Sequence, residues 1–302
     1  MRASSGRGTA RSASMTPVDV SLLRPYRWAV SDNHRWERFE CRPGDIFVCT
    51  PPKCGTTWMQ TILASLLWPD GDVPGQVMTI SPWIDANFFP INEILARLEA
   101  QSHRRFIKTH TPADGIPWFD RASYIVVGRD GRDAFMSLCH HYERFKGAVR
   151  EELNARAAMD GVPPMPGWDG DVHRFFGTWL KEAVMFHHIA SFWRNRGNSN
   201  LAFVHYNDLK ADLAGEMSSG RCVPRDRGAG VEVGRRRRTV HVRVDAGARR
   251  EDWLLLELRG GSPELPLQRH ERPLARRTAG GRARSLRLPH RGAVAGRRGD
   301  LA

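Results

Sequence analysis

The chain has no uncharged apolar run approaching 18 residues, so no membrane-spanning helix is predicted. Its first residues hold arginine and serine but lack the apolar core of a secretory signal. Cysteine is sparse. Cys41, Cys49, Cys54, Cys139 and Cys222 are odd in number, scattered, and never spaced as C-x-x-C. That argues against a disulfide framework and a zinc site, and predicts a reducing, cytoplasmic setting. No cluster of aspartate, glutamate and histidine has metal-ligand spacing, so no metal is expected. Lysine stops at Lys210, although the chain runs to Ala302.

What is present is enough for one large domain or two small ones: 302 residues, 41% of them hydrophobic. The net charge of +13 would ordinarily point to nucleic acid or an acidic surface. Its distribution says otherwise. From Ser218 to Ala302 there are 21 arginines against 9 acidic residues, while the rest of the chain balances 25 basic against 24 acidic side chains. The basicity belongs to a tail. One reading from a different class is therefore a nucleic-acid-binding protein acting through that arginine-rich tail, with strongly salt-sensitive binding. The tail has no interleaved aromatics and no recognisable module, so no specific nucleic-acid partner is expected.

Three segments follow from composition: an Arg/Ser/Gly-rich extension over 1–17, expected to be disordered and containing a second methionine at Met15; a folded region over 18–217; and the tail over 218–302. Within the folded region, short apolar runs alternate with helix-like stretches. Strands are predicted at Asp45–Thr50, Arg105–Thr109, Tyr124–Val127 and Leu201–Tyr206. Helices are predicted at Thr57–Trp68, Ala134–Phe145, His173–Arg196 and from Asn207 to Met217. Glu151–Gly170, rich in glycine, proline and methionine, reads as a flexible loop. Strands alternating with helices predict an α/β fold of three layers, a central parallel sheet with helices on both faces.

The tail has two readings. One is a disordered basic extension. The other is a shifted reading frame in a GC-rich gene, whose out-of-frame codons give arginine, glycine and proline. Gly220 to Arg227 can be encoded as ggt cgc tgc gtt cct cgg gat cga. Shifted by one base, with the next g borrowed, this reads Val-Ala-Ala-Phe-Leu-Gly-Ile-Glu, an amphipathic helix end suited to the helix begun at Asn207.

The segment from Cys49 to Trp58, Cys-Thr-Pro-Pro-Lys-Cys-Gly-Thr-Thr-Trp, joins a predicted strand to a predicted helix. Free N–H groups at a helix N-terminus, together with the helix dipole, favour a phosphate. Gly55 lets the backbone approach closely, Thr56 and Thr57 add hydroxyls, and Lys53 adds a compact charge. A tight turn with an ordinary helix cap would use the same residues. The loop is not a Walker A motif, in which lysine follows the second glycine; here Lys53 precedes Gly55.

The arrangement resembles the 5′-phosphosulfate loop of cytosolic-type sulfotransferases, usually Pro-Lys-Ser-Gly-Thr-Thr-Trp, with Cys54 where serine is usual. Three further segments are similar to the family in the same order. Phe106 to Pro112 looks like its Lys-Thr-His-x-Pro segment. Tyr124 to Ser137 looks like its 3′-phosphate segment, an arginine after a strand and a serine eight residues on. His205 to Asp212 resembles its Tyr-Glu-Asp-Leu segment. Asp32 to Trp36 and Arg42 to Asp45 share its look as well. The likeness covers about Val18 to Met217. It stops at the tail, where the family's C-terminal Arg-Lys-Gly segment has no trusted counterpart; Gly296 to Gly299 is only superficially similar.

The resemblance implies a P-loop-kinase-like topology and a transferase that moves a sulfuryl group from 3′-phosphoadenosine 5′-phosphosulfate (PAPS) to a hydroxyl or amine of a small-molecule acceptor. The product nucleotide is 3′,5′-adenosine bisphosphate, and the chemistry requires no metal. By resemblance His110 is the general base, and Lys53 and Lys108 stabilise the leaving oxygen. The nucleotide falls to Lys53, Cys54, Gly55, Thr56, Thr57, Trp58, Arg129, Ser137 and Tyr206. Trp58 is expected against the adenine and Arg129 on the 3′-phosphate. Arg132 and Asp133 read as structural. The pairs His140–His141 and His187–His188 read as packing or acceptor-pocket residues. Trp83, Phe88, Phe89, Tyr142 and Phe145 are candidates for an apolar acceptor site. A damaged, inactive sulfotransferase is the remaining alternative, because a lost C-terminal part would remove core helices as well as ligands.

Overall fold

The computed structural model describes residues 18–218 apart from positions 146 and 183; the expectations for 1–17 and for the tail lie outside the described residues. After a single 3₁₀ turn at Val20–Leu22, β1 (Arg27–Trp28) and β2 (Ser31–Asp32) form a small antiparallel pair. A 3₁₀ helix over Asn33–Arg38 then leads to β3 (Ile46–Cys49). The chain continues through α1 (Thr56–Leu67), α2 (Val77–Ile80) and α3 (Ile91–Glu99) to β4 (Phe106–Thr109). Next come β5 (Ser123–Gly128), α4 (Gly131–Glu143), α5 (Gly147–Met159), α6 (Val172–Glu182) and α7 (Val184–Arg194). The described chain closes with β6 (Leu201–His205), α8 (Tyr206–Ala211) and α9 (Leu213–Ser218).

β4, β3, β5 and β6 lie side by side in that order, all parallel. Strand β3 is central, and its alternating side chains divide the core. Ile46 and Val48 pack with Met59, Ile62 and Leu63 of α1 and Leu209 of α8. Phe47 and Cys49 pack with Trp36, Phe39, Ile94 and Leu98, and with Phe192 of α7. Helices therefore cover both faces, as the alternation of strands and helices predicts. An ion pair of 3% and 1% exposure fastens the N-terminal ends of β3 and β4 to each other. Arg105 donates from Nε to Asp45 Oδ1 at 2.8 Å and from a terminal nitrogen to Oδ2 at 2.5 Å.

The register sets where the site must lie. Cys49 pairs with Thr109 and with Val126, and Gly128 pairs with His205, so the strands end along one edge. The next sheet neighbour of β3 in sequence lies on one side and β5 on the other. The crevice beyond the carboxyl ends at such a reversal is where parallel α/β sheets bind ligands.

Two local expectations are corrected. Residues 151–170 are not one loop, since α5 runs from Gly147 to Met159. Glycine and proline crowd only its second half. The first half holds good helix formers, with Leu153 and Ala157 buried one turn apart and Glu152 paired with Arg156. Gly161, at φ +63°, ends α5, and Val162 N–H donates back to Ala157 O at 2.9 Å. The stretch 173–196 is helical on both sides of position 183, which lies outside the described residues, as α6 and α7. The stretch 207–217 is two helices, because Asp212 leaves helical geometry (φ −145°, ψ 76°) and its side chain accepts from Gly215 N–H at 2.8 Å.

Candidate active site

Beyond β3 the backbone makes two left-handed turns in quick succession, Lys53 at φ +67° and Gly55 at φ +99°. The first costs about 1–2 kcal/mol for a residue with a Cβ. The Lys53 carbonyl is held by Arg129, whose Nη1 donates to it at 3.0 Å. At Gly55 no side chain is tolerable, because a Cβ would lie 2.7 Å from Cδ2 of Tyr206. Gly55 is the N-cap of α1, so the N–H groups of Thr56 and Thr57 open the helix beside Lys53. Thr50 and Thr56 share a hydroxyl–hydroxyl contact of 2.5 Å, closing the loop on its strand. Burial pushes the Cys54 thiol up to about 12, and the side chain packs with Ala134 and Met185. It fills space beneath the loop as a neutral thiol.

Arg129, Trp58 and Tyr206 come from three separate elements and meet at this loop. The Arg129 guanidinium lies over the Tyr206 ring, 4.4 Å from its centroid, and Trp58 meets the same ring edge-on at 5.0 Å. The bond to Lys53 uses one of the five guanidinium donors. Ser137 sits two turns into α4, partly buried. Asp130 caps α4 by accepting from Arg132 N–H at 2.8 Å, and its carboxylate also takes the exposed Arg132 side chain. Arg132 is thus a partner of the helix cap, in keeping with its structural reading.

His110 stands immediately past β4. Its Nδ1 lies 2.6 Å from the Thr50 carbonyl, an acceptor, so Nδ1 carries the proton and Nε2 keeps its lone pair. Burial holds the imidazole well below its usual value, and the positive charge of Lys108 adds to this, with a smaller push from Lys53. Lys108 is buried, with Nζ 4.6 Å from the centre of the Trp83 indole. That indole meets the His110 ring edge-on at 4.6 Å. His110 and Lys108 thus meet across one indole, and Lys53 is near enough to add its charge to the histidine. His141 on α4 is drawn into the same field: burial first, then Lys53 and Lys108, bring it down to about 3.

The aromatic candidates divide. Trp83, Phe88, Tyr142 and Phe145 share one apolar cluster, with Phe135 and Phe175 at its core. Phe89 packs in the opposite cluster, under the Arg97 guanidinium at 4.8 Å. His187 binds Tyr26 and Asp114 instead of lining this pocket, and His188 is fully buried against Phe192.

Two residues were missed by sequence reasoning. Thr50 aims His110 through a backbone carbonyl, which no side-chain pattern reveals. Asp85, fully buried, accepts hydrogen bonds beneath Trp83. Its one signal is an acid standing one residue past Ile84 in an otherwise apolar stretch. Among the described residues no group of three or more potential metal ligands converges, and no helix is long and apolar enough to cross a membrane.

The donor set suits an anionic nucleotide: two cations, a helix N-terminus opened by glycine, and two aromatic faces. Comparison with known proteins gives a matching picture. Residues 43–219 match the sulfotransferase domain family. A glycolipid sulfotransferase of Mycobacterium tuberculosis is 38% identical over 219 residues, 64% of this chain and 66% of that protein. Human sulfotransferase 1C2 is 27% identical over 213 residues, 66% of this chain and 64% of that protein. The chain thus spans just under two thirds of the length of these relatives. A mouse sulfotransferase solved with PAP aligns over 60% of this chain and 58% of its own, with 22% identity and a TM-score of 0.44.

Proposed function

The chain belongs to the sulfotransferase domain family, and from that premise we propose that it moves a sulfuryl group from PAPS to a hydroxyl or amine of a small-molecule acceptor. The observation that carries the reading is His110, its Nδ1 on the carbonyl of Thr50 where the glycine-opened loop to α1 begins, with Lys108 beside it across Trp83. When bound, PAPS supplies a sulfuryl group on a phosphate leaving group. Lys53 and the first N–H groups of α1 hold the 5′-phosphosulfate. Arg129 and Ser137 take the 3′-phosphate, Arg129 from a position already braced on Tyr206. Trp58 takes a face of the adenine.

His110 receives the acceptor proton at Nε2. Its Nδ1–H stays on the Thr50 carbonyl throughout, so the ring gains the proton without turning. The ammonium groups of Lys108 and, more weakly, Lys53 oppose that protonation. Negative charge brought between them relieves the cost, so the base strengthens once the nucleotide is in place. Lys53 and Lys108 remain to balance charge growing on the leaving oxygen. The acceptor's body falls against Trp83, Phe88 and Phe145, which suits a hydroxyl on a largely apolar molecule. The mycobacterial relative is a glycolipid sulfotransferase, which agrees with an acceptor of that kind.

A second reading concerns the tail. The family match ends at residue 219, close to where lysine ceases and the arginine-rich composition begins. On α6 and α7, Phe186 and Trp193 are about half exposed, and Leu180 and Val184 nearly so. Both observations favour a shifted frame past Met217, leaving a sulfotransferase without its C-terminal part. Transfer of radiolabelled sulfuryl from PAPS to a panel of phenols, sterols and glycolipids tests the main reading. Labelled product that disappears in His110→Ala supports it. No transfer to any acceptor, followed by recovery of transfer in a chain with the frame restored after Met217, would establish the second.

A further inference from the structure

Asp85 is wholly inaccessible, yet it has four hydrogen-bond donors and each is a neutral side chain. Oδ2 accepts from Thr109 Oγ1 at 2.5 Å, Thr111 Oγ1 at 2.7 Å and Trp36 Nε1 at 3.4 Å. Oδ1 accepts from Trp83 Nε1. A buried carboxylate without a bonded cation is costly, and for stability alone an apolar filler serves as well or better. The identity of the partners points to another role.

Thr109 and Thr111 flank His110 in the chain. Trp83 meets the imidazole edge-on at 4.6 Å and carries Lys108 Nζ over its face at 4.6 Å. Backbone bonds join the same parts: Lys108 N–H donates to Pro82 O at 3.0 Å, and Ile84 N–H to Lys108 O at 3.2 Å. Thr111 N–H in turn donates to Thr109 Oγ1 at 3.0 Å, folding the chain tightly around the histidine. Apart from Thr50 and the β3–β4 ladder that ends at Thr109, the contacts that fix His110 pass through this carboxylate or one residue from it.

We propose that Asp85 is a positioning residue for His110. By gripping Thr109, Thr111 and Trp83 together, it holds the imidazole with Nδ1 on the Thr50 carbonyl, Nε2 open for proton transfer and Lys108 alongside. It does not touch the reacting atoms. The inference rests on the reading of His110 as the base, but its structural content can be measured without catalysis.

Asp85→Asn is nearly isosteric and turns one acceptor edge into a donor that opposes donors. In the full chain carrying ¹⁵N-histidine, His110 should show one neutral tautomer, with the proton on Nδ1. In Asp85→Asn that signal should give way to a mixture of both tautomers. The rise in melting temperature on adding 3′,5′-adenosine bisphosphate should survive, since Lys53 and Arg129 are untouched. Where transfer is measurable, kcat should fall about 10- to 100-fold, the scale of a misplaced group, with the KM for PAPS within about twofold. Thr111→Val removes only one bond to Asp85 and covers the case in which Asp85→Asn fails to fold; it should shift the tautomer signal in the same direction by less. A His110 spectrum identical to wild type in either folded variant overturns the proposal. A wild-type chain with the Nδ1–H tautomer but no thermal response to the bisphosphate would defeat the functional reading and leave the positioning role standing.

Discussion

The two sides of the cleft are assembled differently. On the Lys53 side one continuous stretch, from Thr50 to Trp58, supplies the cation, the glycine, the hydroxyls and an aromatic face. Arg129 and Tyr206 brace it from outside. On the His110 side the parts come from distant segments: Thr50 for the carbonyl, Trp83 and Asp85 for the frame, Lys108 to Thr111 for the base, and α4 for His141. The first side is shaped by backbone conformation, the second by buried hydrogen bonds. A phosphate site needs a fixed set of N–H donors, which a local loop can provide. A proton acceptor needs a chosen tautomer, and that takes a partner for the other ring nitrogen.

If the sides are separable, each should fail in its own way. The largest effect belongs to His110→Ala, expected to lower kcat by about 10²- to 10⁴-fold while leaving the thermal response to 3′,5′-adenosine bisphosphate in place. Loss of that response in the variant would break the separation. Arg105→Ala should harm both sides together, because it strands the buried Asp45 between β3 and β4. The expected cost is about 3–5 kcal/mol, read as a drop of roughly 10 °C in melting temperature.

Gly55→Ala should damage the phosphate side alone. It forces a Cβ to φ +99° and into Tyr206, for about 1–3 kcal/mol of strain. Bisphosphate affinity should weaken about tenfold or more by isothermal titration, with the His110 tautomer unchanged. The smallest effect is a pH slope. Burial lowers His188 to about 3 in the folded chain, whereas unfolded it takes a proton near pH 6.5. Between pH 6.5 and about 3 the unfolded state therefore binds the extra proton, so stability falls as pH falls, by up to about 1.4 kcal/mol per unit for this histidine. Above pH 6.5 it contributes no slope. Urea unfolding of His188→Phe at pH 6.5 and 5.5 should show that slope reduced.

The same contrast explains what the sequence made legible. The sheet strands stood out because each is a short apolar run on both faces, as in Ile46–Cys49 and Ser123–Gly128. The phosphate loop stood out because proline, lysine, glycine and threonine lie in a fixed local order. Helix α5 was hidden by averaging its first half with the Gly/Pro-rich stretch that follows. The break at Asp212 was hidden because an aspartate that caps a new helix looks like any polar helical residue. Asp85 was beyond reach for a deeper reason: three of its four partners lie 24, 26 and 49 residues away in sequence, and only folding brings them to one carboxylate.

The proposed function requires that the residues around Lys53 and Arg129 form a site for a nucleotide bearing both 5′- and 3′-phosphates. Thermal unfolding of the purified chain with 3′,5′-adenosine bisphosphate, and with ADP as control, tests it most directly. A ligand that binds only the folded state raises the melting temperature, by an amount set by its concentration relative to its Kd. A clear rise is expected with the bisphosphate, none with ADP, and loss of the rise in Arg129→Ala. An equal response to both nucleotides, or no cooperative transition at all, would contradict it.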